Sequence, residues 1–118
     1  KKIINTKGRN FIIENFFNGT ARFKFSELCD LNIGAEDYIN IANICNHIFI
    51  EEIPIFNDDN SNQQLRFITL IDIFYEKKII LTLSLALKIN EIGSSTKHKE
   101  VFKRTISRLY EMTKIFKN

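Results

Sequence analysis

Four consecutive stretches decide the fold of this chain: HIFIEEIP (47–54), NDDNSN (57–62), QQLRFITLIDIFYEKK (63–78) and IILTLSLAL (79–87). The first and last are compact apolar runs, the pattern of buried strands. Between them Leu65, Ile68, Ile71, Asp72 and Tyr75 recur along one helical stripe. Lys77 and Lys78 close that helix, where the dipole favours cations. NDDNSN reads as a polar loop that supplies the helix N-cap. Strand–helix–strand over 47–87 is by default a right-handed βαβ unit with parallel strands, expected to lie inside and to be covered by helices.

The flanks extend this plan. Residues 1–7 read as a frayed lead-in. Asn18-Gly19 is a turn signal between two runs that favour strand, and Ala21, Phe23 and Phe25 alternate with Arg22, Lys24 and Ser26, so 9–17 and 20–26 are expected to form a hairpin. Gly34 follows a short loop. Tyr38, Ile41, Ala42 and Cys45 then give a helix over 35–46, with Glu36 and Asp37 at its positive end. Beyond the βαβ unit, 89–99 reads as loose, with Gly93-Ser94-Ser95 as its flexible middle. A final helix over about 100–116 turns Phe102, Ile106, Leu109 and Met112 or Thr113 inward. The expected class is α/β: an N-terminal β-hairpin, a helix and a βαβ unit with parallel strands, closed by a C-terminal helix, all in one domain over 1–118.

Bulk properties narrow the function. With 17 basic and 14 acidic residues the net charge is +3, too small a surplus to point to nucleic acid. No apolar run approaches the ~20 residues that a membrane helix needs, and no secretory leader pattern opens the chain. Cys29 and Cys45 are the only cysteines and read as buried, reduced, cytosolic thiols, with no ligand spacing for zinc. The only methionine is Met112, and we expect a piece of a longer polypeptide.

Chemistry-bearing groups are sparse. Gly8, Gly19, Gly34 and Gly93 are the only glycines, and none opens a G-x-x-x-x-G-K-S/T loop or a GxGxxG turn. The chain alone should therefore not hold a nucleoside triphosphate in the P-loop manner. Glu51 and Glu52 end a strand, as magnesium-binding carboxylates do in P-loop enzymes, but without that loop they read as ordinary strand-end residues. His47 and His98 have no nucleophile and acid at defensible spacing, and Asp58-Asp59 read as solvent-facing caps. No residue is assigned a catalytic or metal-ligating role.

Arg104 and Arg108 remain. They stand one turn apart on the last helix and share a face. Glu100 and Glu111 are near enough to pair with them, which would make a surface ladder worth well under about 1 kcal/mol per pair. The other reading is that two planar guanidinium groups on one face hold a phosphate. Helix spacing and charge favour the ladder.

Five blocks then carry a resemblance: ARFKFSELC (21–29), IGAEDYINIA (33–42), HIFIEEIPIF (47–56), RFITLIDIFYEKK (66–78) and FKRTISRLYEM (102–112). In this order and spacing the chain resembles the C-terminal part of the ZapE-type AAA+ ATPases of bacteria and mitochondria, also called ATPase-family-gene-one-like, from about Gly8 to Thr113. It departs from their pattern at Ser61 and Leu65, where arginines are usual, at Lys88-Ile89 in place of a Pro-Pro pair, and over GSSTKHK (93–99). The resemblance implies an enzyme using ATP and Mg2+ whose P-loop, acidic strand, first sensor and arginine finger precede Lys1. Arg104 and Arg108, in the block matching the family's RTxSRL stretch, become candidates for nucleotide-phosphate sensing. The implied partners are the N-terminal P-loop portion of the same ATPase and a cell-division or other protein client, in a cytoplasmic, ring-like oligomer. No cofactor is expected on this chain alone. The alternatives are a non-catalytic protein-interaction module and the remnant of a split ATPase gene.

Overall fold

In a computed structural model of the chain, residues 1–30 and 33–113 are described. Two β-turns organise the N-terminal quarter. Asn18 and Gly19 both adopt positive φ, 48° and 80°, the twist that suits a two-residue hairpin. They join β3 (Asn15–Phe17) to β4 (Thr20–Lys24), with Phe17 opposite Thr20. Lys7 and Gly8, at φ 50° and 81°, make a second such turn. It joins β1 (Lys2–Thr6) to β2 (Arg9–Ile13), and Asn5 Oδ1 accepts a hydrogen bond from the Gly8 amide at 3.2 Å. The lead-in expected over 1–7 is thus a paired strand. The strand expected over 9–17 is broken at Glu14, and its halves pair with different partners. Only Asn18-Gly19 carried a recognisable turn signature; Lys7 reaches the left-handed region without one.

β4 ends where Phe25 turns into the short helix α1 (Phe25–Cys29), although the alternation ran on to 26. The reason is local: the Glu27 carboxylate accepts the Lys24 amide at 2.7 Å and starts the helix. Phe25 stays buried, since the strand period had already pointed it inward. α2 (Ala35–Ile44) starts at Gly34, whose amide donates to Asp37 Oδ2 at 3.0 Å. β5 (His47–Ile53), α3 (Ser61–Glu76) and β6 (Ile80–Leu85) follow, and α4 (Lys99–Thr113) closes the described part. The expected residues 114–116 of that helix lie outside the described residues, as do 31 and 32 of the loop before Gly34.

The main sheet has the order β3-β4-β5-β6. β5 and β6 are parallel, as expected for the βαβ unit, and β4 is also parallel to β5, so that α2 forms a second crossover. Ala21, Phe23, Ile48, Ile50 and Leu81 form the buried face and share one apolar core with α2, α3 and α4. Contrary to expectation, helices do not cover both faces among the described residues. Arg22 and Lys24 are exposed on the other face, and Phe49 and Thr82 half-exposed. Charged and hydroxyl side chains in β4 and β6 let that face meet water. On the helix side Phe25, Phe56 and Phe67 pack with ring centroids 5.6–5.7 Å apart, and Phe102 meets Phe56 edge-on at 5.4 Å.

α3 is rotated relative to the expected stripe. Phe67, Ile68, Leu70, Ile71 and Phe74 are buried with Gln64, while Leu65 is 48% exposed. Burying Phe67 and Phe74 removes more apolar area than burying Leu65 and Tyr75, so the phenylalanine side faces the core.

Candidate functional site

The rotation of α3 puts Asp72 and Tyr75 at the helix edge, beside α4. Phe102, Thr105, Leu109 and Met112 anchor α4 in the core, which aims the intervening Arg104 and Arg108 back across the surface of α3. One carboxylate takes both. Arg108 Nη1 donates to Asp72 Oδ1 at 2.5 Å, and Arg104 Nη2 donates to Oδ2 at 3.1 Å. The Arg108 guanidinium also lies over the Tyr75 ring, 4.5 Å from its centroid. The Tyr75 hydroxyl reaches the Glu111 carboxylate at 3.2 Å, and this hydrogen bond raises its pKa above the ordinary phenol value. The ladder expected with Glu100 and Glu111 does not form: Glu100 bonds Lys103 at 3.1 Å and Glu111 bonds Tyr75. The partner is on another helix, because Asp72 presents both oxygens to the α3–α4 seam.

The two arginines differ in freedom. Arg108 is 22% exposed, held by carboxylate and ring, whereas Arg104 is 56% exposed with one longer bond. Asp72 itself is 32% exposed, so the cluster sits at the surface. The two arginines face one carboxylate directly, Asp72, and a second, Glu111, lies on the far side of the Tyr75 ring.

The segment before α4 positions this helix. Expected as loose, it is tied down. Ser95 is fully buried, its amide donates to Gln64 Oε1 at 2.9 Å, and Gln64 Nε2 donates to Ser94 Oγ at 2.8 Å. Asp58 accepts the Thr96 amide at 2.7 Å, and Phe56 pairs with Gly93. Buried amides need partners, and Gln64 supplies them from α3. Its sequence signal was a glutamine at a core-facing helix position.

The other candidates are placed separately. Glu51 bonds Arg22 at 2.6 Å, and that bond holds its carboxyl below the usual range. Glu52 sits in a bulge at φ 59° with an exposed side chain. His47 Nε2 lies 2.8 Å from Thr82 Oγ1 and its ring stacks on Phe49; His98, in the loop before α4, offers its carbonyl to the Phe102 amide. Cys29 and Cys45 are buried, and burial pushes their thiols up to about 12 and about 11, so both stay protonated and unreactive at neutral pH. Arg66 is also structural: with the Tyr38 hydroxyl it satisfies the last carbonyls of α1, at Cys29 and Leu28. Gly8, Gly19 and Gly93 lie in positive-φ backbone and Gly34 caps α2. Among the described residues no three of His, Cys, Asp and Glu gather closely enough to hold a metal, and no helix is long and apolar enough to cross a membrane.

The fold and the site define an α/β unit whose last helix carries a pair of arginines on one carboxylate. The family model for AFG1-like ATPases matches residues 1–117, and the chain belongs to that family. Lactation elevated protein 1 homolog B of Danio rerio is 33% identical over 78 residues, which is 66% of this chain and 16% of that protein. Cell division protein ZapE of Escherichia coli K12 is 30% identical over 95 residues, 80% of this chain and 25% of ZapE. The chain therefore spans about a quarter or less of the length of these relatives. No solved structure gives a significant match.

Proposed function

We propose that these 118 residues are the C-terminal α/β portion of a ZapE-like AAA+ ATPase, whose P-loop lies in a segment preceding Lys1. The observation that carries this reading is a family match over 1–117 in a chain without a phosphate-binding loop. Alone the chain does not hydrolyse ATP. In the longer protein, ATP and Mg2+ sit on the P-loop portion, and α4 brings Arg104 and Arg108 towards the nucleotide phosphates. A guanidinium suits that role because its fork of N–H donors matches phosphate oxygens. The reading extends to ATP-driven work on a protein client, in cell division or another process, within a ring-like cytoplasmic assembly; likeness to a protein named for cell division supports the choice of process.

The test is reconstitution. ATP turnover is measured for this chain, for the P-loop portion and for the mixture. Turnover that needs both, and that falls at least tenfold with Arg104→Ala or Arg108→Ala, supports the reading. Turnover by the P-loop portion alone, indifferent to this chain, rules it out. One observation favours a second reading: Asp72 already neutralises part of the arginine pair and ties α3 to α4. On that view the chain is a non-catalytic interaction module, and both alanine variants lose stability without any effect on turnover.

A further inference from the structure

We infer that Asp72 is an internal stand-in for phosphate: it holds the arginine pair in an oxyanion-ready geometry, and a phosphate group displaces it from Arg104 while Arg108 stays on Tyr75. The inference rests on the reading that these arginines face phosphates, and it adds which of them moves and what keeps the pair closed beforehand.

Three features of the cluster support it. First, one carboxylate bridges two guanidinium groups, one to each oxygen, as two oxygens of a phosphate would. Second, the grip is unequal. Arg108 has the shorter bond to Asp72 and an aromatic ring beneath it, and Glu111 holds that ring's hydroxyl. Arg104 is more than half exposed, and among the described residues Asp72 is its only hydrogen-bond partner. Arg104 is therefore the arm that can leave, and Arg108 the fixed post. Third, displacement strands nothing. Asp72 is 32% exposed, so water can solvate it once released. A phosphate dianion at the same distance has about twice the Coulomb attraction of the carboxylate for the arginines, and this gain is set against its larger desolvation cost and the repulsion of the released Asp72. Among the described residues no other carboxylate bonds the two arginines: Glu100 bonds Lys103, and Glu111, still charged, bonds Tyr75.

The probe is inorganic pyrophosphate, titrated into this chain by calorimetry at about 0.15 M salt, with folding checked by circular dichroism. Removing the competing charge in Asp72→Asn should tighten pyrophosphate binding about tenfold, the order expected for one carboxylate a few ångströms from a dianion. Asp72→Ser should do the same, which covers the case in which Asn misfolds. Arg104→Ala in the Asp72→Asn background should abolish the gain. Unchanged or weaker binding in both folded Asp72 variants, or a gain that survives Arg104→Ala, overturns the inference. Those outcomes leave the phosphate reading itself intact if reconstituted turnover still depends on Arg104; that reading fails only on the turnover measurement.

Discussion

Replacing Gly93 by alanine tests whether the segment before α4 is a fixed support. Gly93 has φ +75°, and a Cβ built there would lie 2.7 Å from the carbonyl oxygen of Phe56. That carbonyl cannot easily retreat, because the Phe56 amide is bonded to Ile92 O at 2.7 Å and the Phe56 ring is packed among Phe25, Phe67 and Phe102. The left-handed backbone costs an L-residue about 1–2 kcal/mol, and forcing a methyl group against fixed backbone adds about 1–3 kcal/mol. The expected loss is about 2–5 kcal/mol, against a total of about 6–15 kcal/mol for a domain of this size. The variant should therefore fold but unfold at lower urea, and α4 with its arginines should shift. Gly8→Ala is the control. Its φ is +81° but a Cβ would meet nothing within 4 Å, so it should lose only about 1–2 kcal/mol. Urea unfolding followed by circular dichroism measures both. A Gly93→Ala loss no larger than that of Gly8→Ala would show that the Phe56 contact is not rigid and refute the argument.

Three more outcomes are expected. Burial disfavours the charged form of Asp37, but the Gly34 amide and Arg9 outweigh it and lower its pKa; its contribution to stability is present above the ordinary carboxylate value of about 3.9 and is lost as pH falls through the folded value, so Asp37→Asn should flatten the stability–pH curve on the acid side. If wild type and variant lose stability in parallel in acid melts, Asp37 is not responsible. Phe67 is fully buried against two other rings, and Phe67→Ala should cost about 3–5 kcal/mol in the same urea assay, with less than about 1 kcal/mol showing that the aromatic cluster is not a keystone. Thr105 is fully buried and its hydroxyl has no hydrogen-bond partner among the described residues, so Thr105→Val should be neutral or stabilise by about 1 kcal/mol; a clear loss would reveal a hidden partner.

Much of the plan was legible because it is local. The period-two run from Ala21, the apolar runs of β5 and β6 and the 3.6-residue pattern of α2 and α4 each announce an element within a few residues, and Asn18-Gly19 announces its turn. The β1–β2 hairpin was not legible, since Lys7 adopts a left-handed backbone that its side chain does not advertise. The face of α3 was legible in part: Ile68 and Ile71 are buried as their spacing announced, but competition for core volume adds Phe67 and Phe74 and leaves Leu65 and Tyr75 at the edge.

The candidate site shows the same division. The sequence by itself determined the helix that carries Arg104 and Arg108, their common face and the lack of a phosphate loop, because these are matters of spacing along one segment. Only the tertiary structure decided what the arginines touch: Asp72 is 32 and 36 residues away, and Tyr75 and Glu111 meet across the seam of two helices. Contacts at that separation are set by how two apolar faces pack and rotate, and rotation leaves no periodic mark in the chain.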